Sequence, residues 1–102
     1  MKKLSTDEMR VLEHIPVGKT NAVSRAFLAI SAGYSDRTIR RIIAQLREKG
    51  YLICNLSGCG YFIATDPDEV SEFYWQEKTR AKSIFKALTP MRTYLRKEGR
   101  AV

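Results

Sequence analysis

The 102-residue sequence predicts a mainly α-helical α+β protein with one β-hairpin and a long C-terminal helix. Three observations lead there. Apolar residues recur at helical spacing on both sides of Gly33, at Leu28, Ala29 and Ala32 before it and at Ile39, Ile42, Ile43 and Leu46 after it. Residues 51–65 change to β-branched and aromatic types around Ser57-Gly58-Cys59-Gly60, as where two strands meet at a tight glycine turn. Residues 66–95 return to a helical period, with an apolar stripe along one side.

A first helix is expected over residues 4–15. Leu4, Met9, Val11, Leu12 and Ile15 share helical spacing, Ser5 or Thr6 can cap the start, Asp7 and Glu8 suit the positive end of the dipole, and Pro16 ends the segment. His14 lies beside the stripe with no acidic or cysteine partner close in sequence, so it reads as a helix-end residue, not a ligand or catalyst. Residues 17–21, VGKTN, read as a connector. Their Gly-Lys-Thr echoes the end of a phosphate-binding loop, but the earlier glycine of that motif falls at Glu13 and no strand precedes it, which argues against nucleotide binding.

Residues 24–50 then hold two short helices about a turn. The first is expected over about 24–32, and Gly33 allows a backbone conformation that other residues resist. The second runs from Ser35, an N-cap with Asp36 beside it, to about Lys49, with Gly50 past its end. Two helices packed steeply around such a turn form a helix-turn-helix. With Ile39, Ile42, Ile43 and Leu46 turned inward, Ser35, Arg37, Thr38, Arg40, Arg41, Gln45 and Arg47 spread over the outer surface and flanks of the second helix. Arginine's planar fork matches the guanine acceptors of the major groove, hydroxyls and amides contact base edges or phosphates, and free amides at a helix start favour an anion. The plain alternative is a solvated helix face.

The hairpin follows directly. The order helix, helix, turn, helix, hairpin, carried by SDRTIRRIIAQLREKGYLICN and GYFIAT with the Ala29, Gly33, Ile39 spacing, is similar to winged helix-turn-helix DNA-binding proteins over about residues 5–65. More loosely the whole chain, with RAKSIFKALTPMRTYL after the hairpin, looks like small winged-helix proteins of phages and prophages in Gram-positive bacteria. The resemblance implies that the first turns of the second motif helix face the major groove. It therefore carries DNA contact to Ser35, Arg37, Thr38, Arg40 and Arg41, with Gln45 beyond them. One departure concerns the hairpin tip, where many such proteins place Arg or Lys and residues 55–60 have neither. Leu52, Ile53, Cys54, Phe62 and Ile63 make both hairpin faces apolar, so a further element is expected to cover one of them.

Residues 66–102 form the second part of the expected division, after a domain of residues 1–65. Asp66, Pro67, Asp68 and Glu69 make a strong helix start, and Val70, Phe73, Tyr74, Ala81, Ile84, Phe85 and Leu88 make the stripe. A narrower seam of Tyr74, Glu77, Ala81, Ile84, Leu88, Met91 and Leu95 alternates steps of three and four as coiled coils do, interrupted by Glu77. Thr89-Pro90 resembles a fresh helix start and predicts a kink or a second short helix there. A domain of about 65 residues buries only about 60% of its unfolded surface, so this helix adds core or an interface. Fold-back and dimerisation both satisfy that need, and a homodimer through this helix is the reading adopted.

Charge is arranged in blocks. The net charge of +7 divides into +5 over residues 1–65, −5 over residues 66–77 and +7 over residues 78–102. Such a balance suits a polyanion, although Lys78, Lys82 and Lys86, four apart, also read as a hydrated ridge. No apolar run reaches the ~18 residues of a membrane span, and the Met-Lys-Lys start lacks the apolar segment of a signal peptide, so a cytoplasmic location is expected. Cys54 and Cys59 match no zinc spacing with His14 and read as reduced thiols. With no paired nucleophile and base and no metal cluster, the chain reads as a non-enzyme without a cofactor. The expected function is sequence-specific double-stranded DNA binding, as a small transcriptional regulator or phage-type accessory factor. The alternative is a protein-interaction module in a phage replication or regulatory assembly, suggested by the uncharged hairpin tip and the cluster Phe73, Tyr74 and Trp75.

Overall fold

The computed structural model describes residues 3–102. In chain order these form α1 (Thr6–Glu13), a single 3₁₀ turn (Lys19–Asn21), α2 (Arg25–Ala32), α3 (Asp36–Glu48), β1 (Ile53–Leu56), β2 (Gly60–Ile63) and α4 (Pro67–Lys97). The architecture is α+β: three short helices, an antiparallel hairpin and a long C-terminal helix.

Serines open the three short helices. Ser5 and Glu8 form a reciprocal capping box on α1, the Ser5 hydroxyl accepting from Glu8 N at 3.1 Å and Ser5 N donating to Glu8 Oε1 at 2.7 Å. Ser24 accepts from Phe27 N at 3.0 Å on α2, and Ser35 from Thr38 N at 3.2 Å on α3. Gly33 closes α2 at φ 79°, in the left-handed region, which lets α3 start on a new axis. Ser35 is the cap that the sequence indicates, whereas Ser24, expected as the first residue of its helix, sits just before it as a cap.

The hairpin divides the apolar residues into two clusters, because successive strand residues face opposite sides. On one side Ile53 and Tyr61 join Val11, Leu28, Ile39, Ile42, Ile43 and Leu46 of the helices. On the other, Cys54, Leu56 and Phe62 are buried against Phe73 of α4. The first part of α4 thus covers the second apolar face of the hairpin. Its Gln76 also closes part of the exposed edge of β1, donating to Asn55 O at 3.0 Å and accepting from Ser57 N at 3.4 Å.

Two features depart from the sequence reading. The connector at residues 17–23 is partly a third strand: Val17 and Val23 both bridge to β2, with Tyr61 N donating to Val23 O at 2.7 Å and Ile63 N to Pro16 O at 2.8 Å. β2 therefore lies between β1 and the connector, at the centre of a small sheet. Secondly, α4 continues through Pro90 as one 31-residue helix, with no second short helix beginning there. Proline cannot donate to Lys86 O, and the exposure of this part of α4 leaves that carbonyl to water. The Thr89 hydroxyl bonds Phe85 O at 3.2 Å and that of Thr93 bonds Thr89 O at 3.2 Å, which keeps neighbouring carbonyls engaged.

Candidate nucleic-acid interface

α3 is held on three sides. Its buried residues Ile39, Ile42, Ile43 and Leu46 lock it onto α1 and α2. At its start, Asp36 binds the guanidinium of Arg25 on α2 and, through its other oxygen, that of Arg40 at 3.1 Å. That contact holds the Arg25 guanidinium above its ordinary pKa. At its end, Lys49 reaches back to Glu8 at 2.5 Å. Glu8 is only 2% exposed, and the Lys49 ammonium, aided by Ser5, keeps its carboxylate below its ordinary pKa. The Tyr34 hydroxyl, just before α3, donates to Asp7 at 2.5 Å, which ties the turn to α1 and raises the phenol's pKa.

The six residues expected to contact DNA separate into four groups on this helix. Arg37 and Arg41, four apart and so about 6 Å along the axis, share the ridge opposite the buried stripe, and both are exposed. Among the described residues neither belongs to an ion pair. Thr38 and Gln45 lie on the flank toward α1, partly buried, and Gln45 borders a recess shared with Arg41, Glu48 and Lys49. Ser35 is the cap, its hydroxyl also donating to Thr38 Oγ1 at 2.9 Å. Arg40 turns to the opposite flank, toward the hairpin, where Asp36 holds it.

Arg47 shares that flank, being seven residues on from Arg40. Its Nε donates to Ile53 O at 2.8 Å and its guanidinium lies 4.7 Å from the Phe73 ring centre, while Nη2 is buried with no hydrogen-bond partner among the described residues. Burial lowers its pKa. Arg47 therefore belongs to the junction with α4, not to the outer surface. Arg25, Tyr61, Glu77 and Arg80 join Arg40 and Arg47 around the same cleft, and none of the four was singled out from sequence. The only signal for them was Glu77 breaking an apolar seam.

The hairpin tip, Ser57, Gly58 and Cys59, carries no charge. Cys54 and Cys59 are free thiols, and burial raises the pKa of Cys54. Among the described residues there is no group of three potential metal ligands and no helix long and apolar enough to cross a membrane. The outward ridge can thus present two adjacent guanidinium forks to an anionic or acceptor-rich surface, from a helix fixed at both ends. Comparisons with protein-family profiles, curated proteins and solved structures returned no match.

Proposed function

We propose that this chain is a sequence-specific double-stranded-DNA-binding protein of winged helix-turn-helix type, non-catalytic, acting as a small transcriptional regulator or phage-type accessory factor. α3 enters the major groove and α4 pairs two copies. The observation that carries the reading is the ridge of Arg37 and Arg41, exposed and outside every ion pair among the described residues, on a helix anchored by Asp36 and Lys49. A separation of about 6 Å along the helix is close to two base steps of about 3.4 Å each, so both forks can reach base edges on one strand. The uncharged hairpin tip leaves base selection to α3.

Fluorescence anisotropy on random and genomic duplexes across a salt series tests this. Each bidentate arginine–guanine pair contributes about 1–3 kcal/mol, so Arg37→Ala with Arg41→Ala is expected to weaken the preferred site by about 30-fold or more and to flatten the preference between sites. Absence of binding at low salt, or affinity indifferent to both substitutions, sinks it. Function would then pass to a protein-docking role of α4, whose Tyr74 and Trp75 are 51% and 53% exposed.

A further inference from the structure

Between α2, α3, the hairpin and α4 lies an open cleft of ≈ 260 Å³, and Arg25, Arg40, Arg47 and Arg80 all line it. Arginines from three helices seldom converge without an anion, because each guanidinium raises the cost of its neighbours. Two carboxylates are at hand. Asp36 pairs with Arg25 and Arg40, and Glu77 stands 3.6 Å from Arg80. Four positive charges against two negative ones leave a surplus of two.

The pairing is also incomplete. Nη2 of Arg47 and Oε2 of Glu77 are both buried with no hydrogen-bond partner among the described residues, although buried polar atoms are nearly always bonded. Arg80 is 74% exposed and held only by its long contact to Glu77, so it can turn onto an incoming group. The buried Tyr61 and the Asn55 side chain add neutral hydrogen-bonding groups to the wall. The volume lies below the roughly 300–1,000 Å³ of sites for drug-sized ligands. It suits a tetrahedral oxyanion with a few waters, which arginine forks recognise through paired donors.

We infer that this cleft is a phosphate site, seating one phosphate group between the α3 flank and α4. On the DNA-binding reading, on which this part of the inference rests, the occupant is a backbone phosphate of the duplex. A free phosphate presents the same chemistry. Because Arg80 and Glu77 belong to α4, occupancy fastens the C-terminal helix to the element that reads the groove. Glu77 acts as the resident competitor, releasing Arg80 when phosphate enters.

The test uses the full chain and inorganic phosphate, followed through the arginine Nε–Hε NMR signals at constant ionic strength against chloride. Expected are saturable shifts at Arg40, Arg47 and Arg80, affinity about tenfold weaker in Arg80→Gln and tighter in Glu77→Gln. Arg80 is exposed, so its replacement leaves the fold intact. In parallel, Arg80→Gln is expected to reduce the slope of log affinity against log salt for duplex DNA by about 0.9 without changing sequence preference, if the occupant is a backbone phosphate. Phosphate saturation with an unchanged slope identifies a free phosphate as the occupant. Phosphate saturation without any duplex binding overturns the DNA reading and upholds the cleft. No saturable shift together with an unchanged slope overturns the cleft, whatever α3 does.

Discussion

At Gly60, a single hydrogen in place of a side chain decides whether the small sheet can close. The residue has φ 97°, and a Cβ there would stand 2.5 Å from Val23 O and 2.8 Å from its carbonyl carbon, in the strand contact that joins the connector to β2. Gly60→Ala combines left-handed strain of about 1–2 kcal/mol with loss of one or two hydrogen bonds of about 0.5–1.5 kcal/mol each, so a loss of about 2–5 kcal/mol is expected. Gly58, at φ 81° with nothing within 4 Å of its missing Cβ, is the control and should lose only the strain. Equal shifts of the urea midpoint in the two variants would show that the Val23 contact contributes nothing. Glu8 provides a second residue-level prediction, this time in pH. Its folded-state pKa lies below the ordinary 4.5, so on acidification the unfolded chain takes up the proton first. The contribution of Glu8 is therefore full above the unfolded value and is lost as pH falls through the lower folded value. Glu8→Gln should be less stable than the parent at pH 7, and the gap should close below about pH 4. A gap independent of pH would mean that shape, not charge, holds Glu8 under Lys49.

At the scale of elements, legibility followed the length of the repeating pattern. α3 could be read almost in full, because 13 residues give more than three turns of apolar repeat with a serine cap in front and a glycine behind. The hairpin was legible from alternation and its glycines. The connector strand was not, since Val17 and Val23 make single bridges separated by a 3₁₀ turn, and isolated pairings leave no period in a sequence. From sequence Glu8 showed only as a first-turn acid suited to the helix dipole. Its burial comes from Lys49, 41 positions away, although the Ser5-x-x-Glu8 spacing already marks a capping box. Spacing placed seven polar residues of α3 on its outer surface and flanks, but did not part the ridge of Arg37 and Arg41 from the flank of Arg40 and Arg47. Arg47 differs from the ridge arginines only through Phe73 and Ile53, which lie on other elements, and no helical wheel of α3 contains them. Pro90 failed as a stop signal for a related reason. A proline in an exposed segment leaves its orphaned carbonyl to water, and packing does not force the break that a buried helix would suffer.

For the molecule as a whole, the telling quantity is how far α4 outruns the body it packs on. Its 31 residues extend about 46 Å at 1.5 Å per residue, against extents of 49 × 30 × 28 Å for the protein. The stripe that carries Phe73 and Glu77 against the hairpin continues along the same side through Ile84, Leu88, Met91 and Leu95, where the hairpin no longer covers it. Ile84, Leu88 and Met91 are 55%, 47% and 60% exposed. With Leu95 their spacing of four, three and four residues is self-complementary, and Lys78, Lys82 and Lys86 lie on the opposite side, away from a two-fold seam. A second copy on this face would not set the two lysine ridges against each other, although Arg92 borders the same recess as Leu88, Met91 and Leu95. The strength of the pairing follows from area. Eight seam side chains, each with about half of its 1.5–3 kcal/mol of burial still to be realised, offer about 6–12 kcal/mol against an association cost of about 4–15 kcal/mol. On the proposed pairing the dimer would be weak, at best about micromolar, and would be strengthened if two heads occupied half-sites about 34 Å apart on one duplex. Sedimentation between about 1 and 200 µM should show the mass rising from the monomer's 11.7 kDa toward twice that, while Leu88→Arg stays monomeric throughout and keeps its fold, since residue 88 touches no core. On DNA the same substitution should remove cooperativity between half-sites and leave the affinity for a single half-site unchanged. A mass that stays monomeric at every concentration, with half-sites filled independently, would leave α4 as a buttress of the hairpin alone.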